Sequence, residues 1–202
     1  MRKCNVCNEK HYSKGYCSRH YQQMYKHGKI LERTVYDPNE IIIRGGFAEI
    51  ILYNQKNQEV ARTIIDSEDV EKVKNHKWCL HKGYAVTSIQ DKLIGLPYII
   101  MGIRTDKKQR IDHKNRHPLN NRKSNFRFCT HTENMMNRPK QKNNTSGFKG
   151  VDRVGERWRA KIKINQKLIH LGTFISKNEA ARAYNKAATK HFGEFACLNR
   201  FK

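Results

Sequence analysis

Apolar residues recur along this chain in short runs, and most of the runs have the two-residue period of strands. Ala48 to Tyr53 and Val60 to Ile65 are rich in β-branched and aromatic side chains, and the polar Asn54-Gln55-Lys56-Asn57 separates them. They predict a strand, a turn and a strand. Asp66 follows, with Asp69 in capping-box position, so a short helix is expected over 67–75. Trp78, Tyr84 and Val86 resume strand chemistry. Leu93 to Ile103 is apolar on all sides, which predicts burial as a strand, a helix, or one followed by the other. Pro97 places a break near Leu96.

From residue 110 the pattern reads strand, loop, strand, helix. Arg110 to His113 ends an extended stretch, Lys114 to Ser124 is a polar loop, and Asn125 to Cys129 alternates as a second strand. Thr130 and Glu133 form a capping box that opens a helix through about Asn137. Residues 148–174 carry three more short strands. In the second of these, Arg157, Arg159, Lys161 and Lys163 alternate with Trp158, Ala160, Ile162 and Ile164. Strand side chains point alternately to opposite faces, so one face is basic and the other apolar. Ser176 and Glu179 make another capping box, and a helix from Lys177 to about Phe192 follows with Ala180, Ala183, Tyr184, Ala187 and Ala188 on one face.

Composition turns these elements into modules. The 202 residues are only 37% hydrophobic, and the mean hydropathy is −0.88. Several small α+β modules are expected rather than one large core. The expected divisions are residues 1–36, a β-rich segment over 37–110, the strand–loop–strand–helix unit over 111–137, a basic linker over 138–147, and a three-stranded antiparallel sheet with a helix over 148–202. The longest apolar run is too short for a bilayer, which needs ~20 residues. Met1-Arg2-Lys3-Cys4 has no apolar signal region. A soluble, cytoplasmic protein without a membrane partner is expected.

Charge identifies the partner class. Lys and Arg number 41 against 18 Asp and Glu, a net +23. Such an excess points to a polyanion. It is unevenly spread: 12 basic residues meet 10 acidic ones over 37–110, whereas 13 meet 4 over 146–202.

Chemistry is concentrated in two places. Cys4-x-x-Cys7 and Cys17-x-x-His20 offer ligands in two close pairs, the grouping that a tetrahedral structural Zn²⁺ needs. His27 is a reserve ligand, and the competing disulfide reading fits a chain without an export signal poorly. The second place is Asp112, His113, Asn125 and Asn134. A histidine with a pKa near ~6.5 can take a proton from water. Asp112 and Asn134 offer hard oxygen atoms suited to one Mg²⁺ or Mn²⁺ ion, which would stabilise a leaving oxygen. Asn125 is expected to hold the imidazole or the hairpin. His131 is open between metal ligand, phosphate contact and turn residue.

Asp112-His113, Asn120-Asn121-Arg122, Asn125 and the run Cys129 to Asn137 resemble the HNH nucleases with a ββα-metal site, specifically the phage- and intron-borne homing endonucleases. The resemblance implies that His113 is the general base and Asn125 its structural partner. It implies Asp112 and Asn134 as metal ligands, and products with 5′-phosphate and 3′-hydroxyl ends. Ser146 to Val151, Trp158 to Ile162, Leu171 to Phe174, Glu179 to Tyr184 and Leu198-Asn199 resemble the AP2/ERF DNA-binding domain. That resemblance implies a sheet in the major groove of double-stranded DNA, with Lys149, Arg153, Arg157, Arg159, Lys161, Lys163 and His170 as contacts. Arg138, Lys140 and Lys142 of the linker are expected on phosphates or in a narrow minor groove. The sequence thus predicts a metal-dependent DNA endonuclease that as a monomer nicks one strand. The alternative is a regulator that binds DNA without cutting it.

Overall fold

The structure is a computed structural model, and it describes residues 2–31, 34, 37–102 and 109–201. The chain opens with two tight turns, closed by bridges between Lys3 and Lys10 and between Ser13 and Tyr16. Helix α1 (Ser18–His27) follows and ends at Gly28, whose φ of 67° lets its N–H reach Met24 O.

The β-rich segment folds as two small sheets and two short helices. Strands β1 (Ile41–Arg44), β2 (Phe47–Tyr53) and β3 (Glu59–Asp66) form one antiparallel sheet in that order. Its polar turn is tied by Asn54 Oδ1, which accepts from the N–H groups of Lys56 and Gln58. A 3₁₀ turn, Ser67–Asp69, runs into helix α2 (Val70–Val73). The expected capping box on Asp66 does not form. Its carboxylate instead accepts from Arg122 Nε and Lys123 N, both at 2.8 Å, and the helix is correspondingly shorter than expected.

Strands β4 (Cys79–His81), β5 (Tyr84–Ile89) and β6 (Lys92–Gly95) form the second sheet. Helix α3 (Leu96–Met101) begins at once, with Pro97 in its first turn. The apolar run from Leu93 is therefore a strand followed by a helix; its end, Ile103, lies outside the described residues. Ile50, Leu52, Ile65, Trp78 and Leu96 are buried in one core. Each contributes about 1.5–3 kcal/mol by leaving water. Asn39 staples this core by donating to Ile51 O and Trp78 O and accepting from Trp78 N.

Strand β7 (Arg110–His113) pairs antiparallel with β8 (Phe126–Cys129), and helix α4 (His131–Met136) follows. The Thr130–Glu133 capping box forms as expected. Asn125 ends the 3₁₀ turn Lys123–Asn125 and so stands just before the second strand. Phe126 belongs to the same core as Ile50 and Trp78, with Ile111 and Leu119 packed against it. The segments on either side of residue 110 thus share a core. The edge of β3 also holds the long loop: Ile64 N donates to Leu119 O at 2.8 Å, and Asn121 N to Ile64 O at 2.7 Å.

The last module is a sheet of β9 (Val151–Val154), β10 (Arg157–Ile164) and β11 (Lys167–Phe174), with β10 central. Helix α5 (Lys177–Phe192) lies on it under a Ser176–Glu179 capping box. Ala180, Ala181 and Ala188 are fully buried, and these small side chains let the helix approach Ala160 and Ile162 closely. Gly150 must be glycine here. Its φ is 72°, and a Cβ would fall 2.1 Å from the Tyr184 ring. Among the described residues no helix is long and apolar enough to cross a membrane.

Candidate functional site

The four amino-terminal ligand candidates converge. Cys4, Cys7, Cys17 and His20 place their ligand atoms within 4.8 Å of one another. Cys7 Sγ and Cys17 Sγ are 3.8 Å apart, and His20 Nδ1 lies 3.3, 3.5 and 3.4 Å from the sulfurs of Cys4, Cys7 and Cys17. A tetrahedral ion with bonds of about 2.3 Å to sulfur and about 2.05 Å to nitrogen requires edges of about 3.8 and 3.6 Å. The geometry and the donor set therefore fit a metal ion. Burial opposes ionisation of Cys4. The N–H groups of Cys17 and Val6, the His20 ring and the Cys7 N–H outweigh it, and the thiol is brought down to about 5. α1 supplies His20 one turn after Cys17, which is why the Cys-x-x-His spacing works.

The second cluster lies where β7, the loop after it and α4 meet. Tyr84, Asp112, His113, Arg116, Asn134 and Arg138 all face a cleft of about 160 Å³. Asp112 and His113 are adjacent on a strand, yet both line it, because the strand ends there and gives way to the loop. His113 is 7% exposed, and Asn121 Oδ1 lies 3.1 Å from its Nε2. Asn121 is itself fully buried, and its Nδ2 donates to Thr63 Oγ1 at 2.7 Å and to Pro118 O at 3.2 Å. Its Oδ1 is therefore the acceptor toward the imidazole. The proton sits on Nε2, and the lone pair is left on Nδ1. Burial lowers the His113 pKa below its ordinary value, against the Asn121 bond and the Asp112 charge, which raise it. The net effect favours the neutral ring.

Asp112 is 7% exposed. Three donors converge on its Oδ2: Arg127 Nε at 2.9 Å, Arg127 Nη2 at 2.7 Å and Asn137 Nδ2 at 2.8 Å. Asn137 also donates to His113 O at 3.1 Å. Asn134 reaches the same cleft from the first turns of α4. An acidic oxygen, an amide oxygen and room for a few waters, each about 30 Å³, make a donor set that fits a hard divalent cation.

Of the two roles expected for Asn125, the imidazole or the hairpin, it takes the second: its Oδ1 accepts from Asn115 N, and its Nδ2 donates to Asn115 Oδ1 and Asn120 O, while Asn121 meets the imidazole. Asn121 belongs to the Asn120-Asn121-Arg122 run, but only the β3 edge, supplying Thr63, shows what it does. Tyr84 was also missed. It comes from the β-rich segment over 37–110, and its ring centroid lies 6.3 Å from that of His113. Exposed His131 does not reach the cleft and lines a groove beside the C-terminal sheet instead.

The basic face of β10 alternates as expected, but its charge is partly compensated. Asp152 takes Arg159 at 2.5 Å and Lys161 at 3.1 Å. The Arg159 bond holds the Asp152 carboxyl below its usual range. Arg157, Lys163 and His170 are exposed, and Arg153 is exposed while donating to Gly155 O. Lys149 is placed differently from the other expected contacts. Its ammonium donates to Met136 O and Arg138 O, both at 2.7 Å, so it caps the carboxyl end of α4. Arg138, Lys140 and Lys142 are exposed.

No family model matches the chain. Two curated proteins are similar to it. One is named an uncharacterized HNH endonuclease, from Acanthamoeba polyphaga mimivirus; it is 32% identical over 133 residues, 63% of this chain and 69% of the relative. The other is named an ethylene-responsive transcription factor-like protein, from Arabidopsis thaliana; it is 51% identical over 41 residues, 20% of this chain and 18% of the relative.

Proposed function

Because the chain belongs to the HNH endonuclease family, we propose that it hydrolyses phosphodiester bonds of double-stranded DNA in the cleft beside His113. The observation that carries this reading is one geometry. A buried imidazole whose Nε2 is held 3.1 Å from Asn121 Oδ1 shares a cleft with the Asp112 carboxylate and the Asn134 amide. His113 Nδ1 takes the proton of the attacking water. The water oxygen bonds to phosphorus as the bond to the 3′ oxygen breaks, which leaves 5′-phosphate and 3′-hydroxyl ends. Asp112 and Asn134 would hold a Mg²⁺ or Mn²⁺ ion, which when bound would supply positive charge toward the leaving oxygen. Asn121 orients the imidazole, and Asn125 keeps the loop folded around it. Arg116 and Arg138 flank the cleft as cations for the phosphates on either side.

The Cys4, Cys7, Cys17 and His20 site holds a structural Zn²⁺ that folds the amino-terminal module. The C-terminal sheet grips duplex DNA through Arg153, Arg157, Arg159, Lys161, Lys163 and His170. The 41-residue likeness to a transcription-factor-like protein supports this grip. Among the described residues one such His–Asp–Asn cleft is formed, so the product of a monomer is a nick. The test is supercoiled plasmid with Mg²⁺ or Mn²⁺, where wild type is expected to give open circles and His113→Ala none. Plasmid bound but never nicked in any divalent ion would favour the non-cleaving regulator instead.

A further inference from the structure

Arg127 takes no part in the reaction just described, yet its guanidinium is held from two sides. Its side chain is 9% exposed. Nε and Nη2 both donate to Asp112 Oδ2. Nη1 turns the other way, donates to the carbonyl of Glu194 and lies 3.7 Å from the Glu194 carboxylate. The Phe195 ring supports the group, with Cζ 4.1 Å from the ring centroid. Glu194 and Phe195 belong to the 3₁₀ turn Gly193–Phe195, which ends α5. One residue of the nuclease hairpin thus joins a cleft carboxylate to the C-terminal module.

The connection suits orientation rather than charge alone. A guanidinium presents its donors in a rigid planar fork, so fixing one edge on the module fixes the other edge on Asp112. With Arg127 and Asn137 both on Oδ2, the carboxylate cannot turn freely, and Oδ1 is left for the cleft. A second tie acts on the same site. Lys149 caps α4 from the C-terminal module, and Met136 of α4 packs against Ile162, Tyr184 and Phe192. The helix bearing Asn134 and Asn137 is therefore held by that module as well.

We propose that Arg127 is a positioning residue for Asp112 and that the Gly193–Phe195 turn sets its position, so that the C-terminal module completes the nuclease site as well as gripping DNA. This rests on the nuclease reading of Asp112 and His113. A partner contact of this kind is typically worth ~10–100-fold in metal affinity or activity.

The experiment uses the whole zinc-loaded chain as wild type, Phe195→Leu, Phe195→Ala and Arg127→Ala. It measures Mn²⁺ affinity without DNA by electron paramagnetic resonance, duplex affinity without added Mg²⁺ or Mn²⁺, and the single-turnover nicking rate. Phe195→Leu keeps the apolar bulk and the Arg127 charge but removes the π face. It is expected to weaken Mn²⁺ binding and slow nicking together, with Phe195→Ala more severe and on the order of 10-fold. Duplex affinity should stay within about twofold, showing that the C-terminal module is folded. If Arg127 is only a counter-charge, both Phe195 variants will match wild type, and Arg127→Ala will bind Mn²⁺ more tightly. That result overturns the proposal. A wild-type chain that cuts no DNA refutes the nuclease reading itself, whereas a cutting wild type with unmoved Phe195 variants refutes only the role of Arg127.

Discussion

Asn121→Ala is the sharpest single perturbation of the proposed site. The amide is fully buried and makes three side-chain hydrogen bonds, to His113 Nε2, Thr63 Oγ1 and Pro118 O. Each bond is worth about 0.5–1.5 kcal/mol net, and the His113 N–H is left buried without its acceptor. A destabilisation of about 2–4 kcal/mol is expected, most of it from stranded polar groups and the small void. The catalytic loss is separate. Without Oδ1 nothing selects the Nε2–H tautomer, so the lone pair on Nδ1 is no longer fixed toward the water. A fall of about 10–100-fold in nicking rate per folded molecule is the scale for losing such an orienting contact. Urea titration gives the stability, and single-turnover nicking of supercoiled plasmid at saturating protein gives the rate. A folded variant that nicks at the wild-type rate would refute the assignment of Asn121 as the partner of the base. A stability change within about 0.5 kcal/mol, the scale of an inert surface substitution, would mean that the buried network is not formed.

Three further outcomes follow from the same geometry. Lys163→Ala should flatten the dependence of duplex affinity on salt by about one unit of slope, whereas Lys149→Ala should leave the slope unchanged while lowering stability, because Lys149 caps α4; a binding titration over a salt series separates them. Cys4→Ser should remove the bound zinc, measured by atomic absorption, and unfold the amino-terminal module as seen by hydrogen exchange over 2–31, and retention of stoichiometric zinc would count against the site. Partial burial raises the Asp66 pKa, but the Arg122 bond and the Lys123 N–H outweigh it and hold it below the unfolded value of ~3.9. Its stabilisation is therefore complete above that pH and lost as pH falls through the lower folded value. Asp66→Asn should lower stability at pH 7 and reduce its loss on acidification, and urea midpoints at pH 7, 4 and 3 would show an unaltered acid slope if Asp66 contributes nothing.

What was legible in the sequence was what short-range physics decides. The capping boxes at Thr130 and Ser176 involve residues three apart, so nothing distant was needed to form them. The two faces of β10 follow from the alternation of a strand, and the Cys-x-x-Cys and Cys-x-x-His pairs need only a turn and the first turn of α1. The cluster of Asp112, His113 and Asn134 could be read as one site because hairpin and helix are contiguous. The tertiary structure decided every contact that requires two distant segments to meet. Asp66 forsakes its own helix because Arg122 and Lys123 arrive from a loop over fifty residues away. Asn121, rather than Asn125, takes the imidazole because the β3 edge holds its backbone and Thr63 fixes its amide orientation. Lys149 turns to α4 because the open carbonyls of Met136 and Arg138 lie beside it. Arg127 looks like one more cation in a basic chain until the Gly193–Phe195 turn packs on it. The capping boxes at Thr130 and Ser176, the strand faces and the ligand spacings were thus set by the sequence alone, since they depend on local backbone geometry. The partners of buried polar groups were not, because a buried donor or acceptor is satisfied by whatever the fold brings within about 3 Å of it.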